Sequence, residues 1–299
     1  MELWIPITVA AAFSQNLRSA LQKHLKGALS TSGATYVRFL YAAPLAVAYA
    51  TALLAFGFEL PDVNVTFVVA AATGGLTQIA ATALLVYLFS FRNFAVGTTY
   101  SKTETVQTAI FGIVILGDQL SAGAAFGIVV SLVGVLAISV AVGAMTWRNL
   151  GRGLLHRTAL IGIASGALFG LSAVSIRAAS LSLGGEGFLM QAAFTLACVT
   201  VFQTLVMSFY MRLREVGEIT RSFRAWRAGA LVGLFGMIGS SCWFSAMTLQ
   251  NAAYVRALGQ IELVFTFIAS YVFFRERCTG TEVLGVTLVV AGIVILLVS

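Results

Sequence analysis

The sequence predicts an all-α integral membrane protein, with ten transmembrane helices in two inverted five-helix repeats. Three observations carry that expectation. Hydrophobic residues make up 59% of the chain and charged residues only 10%, where a soluble domain carries about 25% charged residues. Charge-free runs recur, among them 39–58, 63–91, 119–147, 187–211 and 228–255, and a span needs roughly 20 apolar residues. One stretch also occurs twice: residues 94–137 align without a gap on 252–295, at the offset that separates Glu104 from Glu262.

The alignment sets Ala95 on Ala253, Glu104 on Glu262, Thr108 on Thr266, Asp118 on Glu276, Gly127 on Gly285 and Gly134 on Gly292. Matches on Ala, Val and Ile mean little in so apolar a chain. A lone Glu inside an apolar run, with Thr four residues on and an acid at the end of the run, is far less easily repeated. Such runs must be helical, because hydrocarbon offers no partner to open backbone groups and the period-two alternation of a barrel is missing.

Helices are expected at about 3–23, 32–57, 64–90, 94–116, 120–144, 157–182, 187–212, 226–248, 252–274 and 281–298. The first lacks a basic leader and holds Ser14, Gln15, Asn16 and Arg18, so it reads as a span and not as a signal peptide. The second runs from near Arg38 to Glu59–Pro61. The third, with Thr73, Gly74, Gly75, Gln78 and Thr82, belongs inside the bundle because small residues let backbones approach. The fourth carries Lys102 and Glu104, and the fifth Gly123, Gly127 and Gly134.

The sixth helix echoes the first, with Phe13 on Phe169, and the eighth echoes the third, with Gly75 on Gly233. The units are then 1–145 and 157–299, joined by a basic linker at 146–156. Five helices per unit is an odd number, so the second unit enters from the opposite face. Inverted halves of this kind tend to hold a binding site near the midplane, exposed alternately to either side.

The net charge of +7 does not point to nucleic acid. Lys23, Lys26, Arg92, Arg148, Arg152, Arg157, Arg212, Arg214, Arg221, Arg224, Arg227, Arg275 and Arg277 all fall in odd-numbered loops. The even-numbered loops hold Glu59, Asp62, Asp118 and Glu186. The positive-inside rule therefore makes the odd loops cytoplasmic and turns both termini outward. Cys198, Cys242 and Cys278 have neither metal-ligand spacing nor an even count, so packing is their expected role.

Ten short helices in five-plus-five halves, with the helix-end turns LGDQLS (116–121) and FRERCT (274–279) and the glycines that follow them, resemble the drug/metabolite transporter superfamily, EamA type. The resemblance covers nearly the whole chain through loose motifs. Many members have Pro in the middle of helices four and nine, where this chain has Thr105 and Leu263. Members commonly keep their termini in the cytoplasm, whereas the charges here argue the reverse. The resemblance implies a multi-pass transporter, an exporter by its family, expected in a bacterial inner (cell) membrane as a monomer or homodimer.

Seven ionisable side chains lie well inside the expected spans: Arg18, Arg38, Lys102, Glu104, Arg177, Arg256 and Glu262. Each costs ~2.5–3.5 kcal/mol in hydrocarbon on the insertion scale, so each needs a cavity or a partner. Residues four apart share a helix face and residues two apart lie nearly opposite. One polar line is then Thr98 and Lys102 with Arg256 and Gln260, and the other is Tyr100, Glu104 and Thr108 with Leu258, Glu262 and Thr266. On this geometry Lys102 does not neutralise Glu104 within its own helix. The cations left for the two glutamates are Arg18, Arg38 and Arg177.

Two readings stand for Glu104 and Glu262: a proton or gating relay, as intramembrane acids serve in transporters, or structural locks between helices. Lys102, Arg256 and Gln260 are the expected contacts for the polar end of a substrate, joined by Tyr100, Gln78 and Trp243. Tyr87, Phe244, Asn16, Ser172 and Ser240 are further lining candidates. Arg18, Arg38 and Arg177 lie nearer helix ends, where long side chains snorkel to the interface.

Five interior bases against two acids favour a small solute bearing a carboxylate or phosphate, such as an amino acid, with protons as the candidate coupling ion. The alternatives are efflux of hydrophobic cationic drugs, with the glutamates as binding charges, and a lipid-carrier flippase. A channel reads the same way in sequence. His24 and His156 fall outside the spans and no Walker-type loop is present, so neither a buried Ser–His enzyme nor an ATP-driven pump is expected. No cofactor or metal site is expected.

Overall fold

The structure is a computed structural model, and it describes residues 2–91, 94–141, 156–185, 187–272 and 279–299, with side chains at 94–97 and 269–272 left aside. The expected linker at 146–156, apart from His156, lies outside the described residues. So do Arg92, Glu186, Arg275, Glu276, Arg277 and Cys278.

Every regular element is helical among the described residues. The first half contains α1 (Trp4–Leu25), α2 (Thr31–Ala55), α3 (Val65–Leu88), α4 (Phe94–Ser101), α5 (Glu104–Phe111) continued by a π turn at Gly112–Leu116, and α6 (Ala122–Ala141). The second contains α7 (Arg157–Ser182), α8 (Leu189–Arg214), the short α9 (Glu218–Arg224), α10 (Trp226–Leu249), α11 (Ala252–Leu258), α12 (Ile261–Val272) and α13 (Gly280–Val298). Seven of them, α2, α3, α6, α7, α8, α10 and α13, are long and apolar enough to cross a bilayer. The remaining long helix, α1, carries Gln15, Asn16 and Arg18 in mid-course.

Local sequence explains the starts and stops. Ser30 and Asn64 cap α2 and α3, accepting hydrogen bonds from the amides of Gly33 and Phe67 at 3.0 and 2.8 Å. Thr279 and Glu282 form a reciprocal capping box at the head of α13, satisfying donors that the first turn leaves open. Gly117, at φ 68°, closes the π turn in a left-handed conformation that glycine adopts without a Cβ penalty. The amide of Asp118 then bonds back to the carbonyl of Gly112 at 3.1 Å.

The expected fourth and ninth helices were continuous, and both are broken. The first break falls at Lys102–Thr103, inside the run TTYSKTET (98–105). Ser101 and Thr103 turn their hydroxyls back to the carbonyls of Thr98 and Tyr100, each at 2.7 Å, a local bond that competes with the helical ladder. The amides of Lys102, Thr103 and Val106 reach only three residues back. The second break is at Gly259–Gln260, with the same tightened pattern at Gln260, Glu262 and Leu263. A Cβ on Gly259 would meet the Trp243 ring at 2.5 Å, so glycine there admits the indole.

Close packing joins elements across the two halves: α3 with α7, α1 with α10, α2 with α8 and α6 with α13. The α6–α13 seam is antiparallel and built on glycine. A Cβ on Gly127 would lie 2.6 Å from the carbonyl oxygen of Gly292, and one on Gly134 would lie 2.6 Å from that of Gly285. Gly166 and Gly170 let the α4–α5 break settle on α7, since their Cβ positions fall 2.7 Å from the Ser101 carbonyl oxygen and 2.8 Å from Thr108 Oγ1.

Candidate functional site

The two breaks face each other and bring four charges together. Glu104, in the first turn of α5, lies 3.0 Å from Nε of Arg256 on α11. Lys102, in the first break, makes an ion pair with Glu262 in the first turn of α12. Each glutamate thus takes its cation from the opposite broken helix, and not from Arg18, Arg38 or Arg177 as the helical-face argument expected. The reason is the break itself. It turns Lys102 and Gln260 out of the regular face pattern, and it places each carboxylate at the positive end of a new helix.

The side chains are largely withdrawn from water, at 24% and 11% exposure for Lys102 and Glu262 and 9% and 17% for Arg256 and Glu104. Removing one partner from such a pair costs about 3–5 kcal/mol, because it strands a buried charge. Neighbours hold the geometry. Gln15 Nε2 donates to Glu262 at 3.3 Å, and Asn16 donates to Thr266 at 3.0 Å. The Arg256 guanidinium sits 4.6 Å from the Trp243 ring centroid, within cation–π range.

These residues wall a cavity of about 170 Å³. Its lining comes from Gln15, Asn16, Arg18 and Ser19 of α1, Leu85 and Phe89 at the end of α3, Thr98, Ser101, Lys102 and Glu104, Phe169 of α7, and Arg256 and Glu262. It lies on the side of the bundle where α1 and α3 end and α4 begins. The other side is latched. Arg177 donates to the carbonyls of Met247 and Gln250, both at 2.5 Å, and to Asn251 Oδ1 at 3.0 Å, with Asp118 3.9 Å away. Asn251 also donates to the carbonyl of Gln119 at 3.2 Å.

Of the residues singled out in the sequence, Lys102, Glu104, Arg256 and Glu262 meet at this cavity. Trp243 lies under Arg256, and Gln260 is buried in the second break with its Oε1 lacking a hydrogen-bond partner. Gln78 accepts a hydrogen bond from Gln203 at 2.9 Å, and Tyr100 packs on Ala159, Val140 and Ile163; neither lines the cavity. Ser172 donates to the Gly74 carbonyl at 2.8 Å as a helix tie. Arg18 and Arg38 do not snorkel: they are 4% and 5% exposed. Because α1 runs on to Leu25, Arg18 stands about two turns inside its helix. The polar cluster of α1 was the available signal for that wall.

Residues 156–298 match the EamA-like transporter family. The second half of the chain is an EamA domain, of the drug/metabolite transporter superfamily. That match is to membrane transporters of the drug/metabolite type. One solved structure, described only as "Crystal structure of protein", is similar to this chain with a TM-score of 0.69 and 15% identity over 97% of this chain and 95% of its own; at that identity the likeness is one of fold. No curated protein sequence matches.

Proposed function

We propose that this chain is a ten-helix secondary transporter of two inverted five-helix repeats, 1–145 and 157–299, joined by the basic linker 146–156. It works in a bacterial inner membrane with its odd-numbered loops cytoplasmic, and it exports a small organic solute bearing a carboxylate. The observation that carries this reading is the crossed pairing of Glu104 with Arg256 and of Lys102 with Glu262 at the cavity wall. Three features support the repeat: the breaks fall within one residue of equivalent positions, the charges cross reciprocally, and Gly127 and Gly134 meet Gly292 and Gly285. Broken helices at a repeat interface are where transporters build midplane sites.

The mechanism follows from exchange of partners. A substrate carboxylate takes the place of a glutamate on Lys102 or Arg256, and the displaced glutamate takes a proton, so solute and proton occupy the site together. Gln260 and Trp243 frame the same cations. The cavity on the odd-loop side and the Arg177 latch on the other correspond to an inward-facing state. Outward opening then requires Arg177 to release Gln250 and Asn251.

The modest size of the cavity, about 170 Å³, favours a small solute over a hydrophobic drug. The occupation of both glutamates by cations likewise speaks against a cationic cargo. The test is counterflow in proteoliposomes with radiolabelled amino acids and carboxylates. Uptake lost in both Lys102→Gln and Arg256→Gln supports the reading. Uptake of organic cations alone, lost in Glu104→Gln and Glu262→Gln, overturns it.

A further inference from the structure

Charge balance at the cavity leaves a remainder. Lys102 with Glu262 and Arg256 with Glu104 cancel in pairs, and Arg177 is tied to the far latch. Arg18 and Arg38 have no carboxylate partner among the described residues. Arg38 donates to the neutral hydroxyl of Thr82 at 2.7 Å and has Phe39 beneath it, its guanidinium carbon 5.2 Å from the ring centroid. Arg18 lines the cavity, makes no hydrogen bond to another described residue, and has its Nε buried without a partner.

The two arginines also converge. Arg38 Cγ and Arg18 Cδ lie 3.6 and 3.7 Å from the Cβ position of Gly236 on α10, and Gly236 leaves the space that both occupy. Two like charges brought together away from water repel, and buried charges are normally paired. An arginine that faces a cavity with free N–H donors, beside acids already paired with other cations, is built to receive an anion, and its fork suits a carboxylate or phosphate held through two bonds.

We propose that Arg18, backed by Arg38, is a second anion subsite in this cavity, and that the ligand is a dianion: a small solute carrying a phosphate group or two carboxylates. Arg18 touches the ligand. Arg38, behind it, is a positioning residue that adds its charge and stays fixed on Thr82. The proposal deepens the carboxylate-transport reading and rests on the same cavity. It adds a distinct requirement, that one charge of the ligand goes to Lys102 or Arg256 and the other to Arg18.

The test is thermal stabilisation of the purified full-length protein in detergent with inorganic phosphate, succinate, acetate or chloride at matched ionic strength. Binding to the folded state raises the midpoint by mass action. Phosphate or succinate should stabilise well beyond acetate and chloride, and whichever does so identifies the source of the second charge. Arg18→Gln should weaken that dianion binding on the order of tenfold or more, the loss of a charge-assisted hydrogen-bond pair. Arg18→Lys should keep part of it and guards against a variant that fails to fold. Arg38→Lys should bind succinate nearly as the native protein does, whereas Arg38→Gln should not.

Equal stabilisation by acetate and succinate, with phosphate no better, overturns the dianion site and leaves the carboxylate transporter standing. Full retention of dianion binding in Arg18→Gln also overturns it. Stabilisation by phosphate alone, with counterflow of carboxylates absent, supports this subsite and sinks the carboxylate reading.

Discussion

Glu104 and Arg256 meet at 3.0 Å, and through that contact the broken helix of one half is tied to the broken helix of the other. The pair is coupled, so its members should not behave additively. Glu104→Gln strands Arg256 and should lower stability by about 3–5 kcal/mol. The double variant Glu104→Gln/Arg256→Gln should recover much of that loss, because no unpaired charge remains. Thermal midpoints of the four proteins give the cycle. Additive losses would show that the two groups act independently.

The glycine seam between α6 and α13 makes a second, purely steric expectation. A methyl group at Gly134 would press on backbone, 2.6 Å from the Gly285 oxygen and 2.7 Å from the Val289 nitrogen, and neither can turn away. Gly134→Ala should therefore cost about 1–3 kcal/mol, as overpacking does. Gly280→Ala, where nothing lies within 4 Å, should stay within about 0.5 kcal/mol of the native protein. Similar midpoints for the two variants would argue against a tight seam.

Part of this arrangement is legible in the sequence, and the limits are physical. Aligning 94–137 on 252–295 singles out Glu104, Glu262, Gly134 and Gly292, because a pattern carried by rare residues stands out against an apolar background. The helix breaks were not legible. The hydroxyl run around Lys102 reads as an ordinary polar stripe by hydropathy, and its local side-chain bonds leave no trace in periodicity. The crossed pairing followed from the breaks and was lost with them. A helix expected to end at Lys23 puts Arg18 near its terminus. The two further residues to Leu25, and burial by α10, move it onto the cavity wall.

Asp118 gives a pH test of the latch. Partial burial raises its carboxyl above the usual range, and Arg177 nearby opposes that rise. A carboxyl whose pKa is higher in the folded protein binds its proton more tightly there than in the unfolded chain. Its stabilising contribution is complete below the ordinary aspartate pKa and is lost as pH rises through the folded value. The native protein should lose stability relative to Asp118→Asn over that rise, in the mildly acidic range. Parallel midpoint-against-pH curves for the two would mean that Asp118 does not titrate differently on folding.

The Lys102–Glu262 pair separates stability from transport. If the pair only locks two helices together, removing both charges should spare transport as far as it spares the fold, since a lock without charges can be replaced by packing. If Lys102 receives the solute after Glu262 lets go, the double variant Lys102→Gln/Glu262→Gln should fold better than either single variant and still fail to transport. The expected outcome is the second: a midpoint within about 1–2 kcal/mol of native, as pair replacement often allows, with counterflow reduced at least tenfold, the effect of removing a charge-assisted bond to the solute. Glu262→Gln alone frees Lys102 permanently, so it should bind solute more tightly than the native protein while losing the dependence of transport on a proton gradient. Measuring binding and gradient-driven uptake on the same preparation makes the two roles distinguishable. Weaker binding in Glu262→Gln would mean that the carboxylate helps hold the solute and does not compete with it.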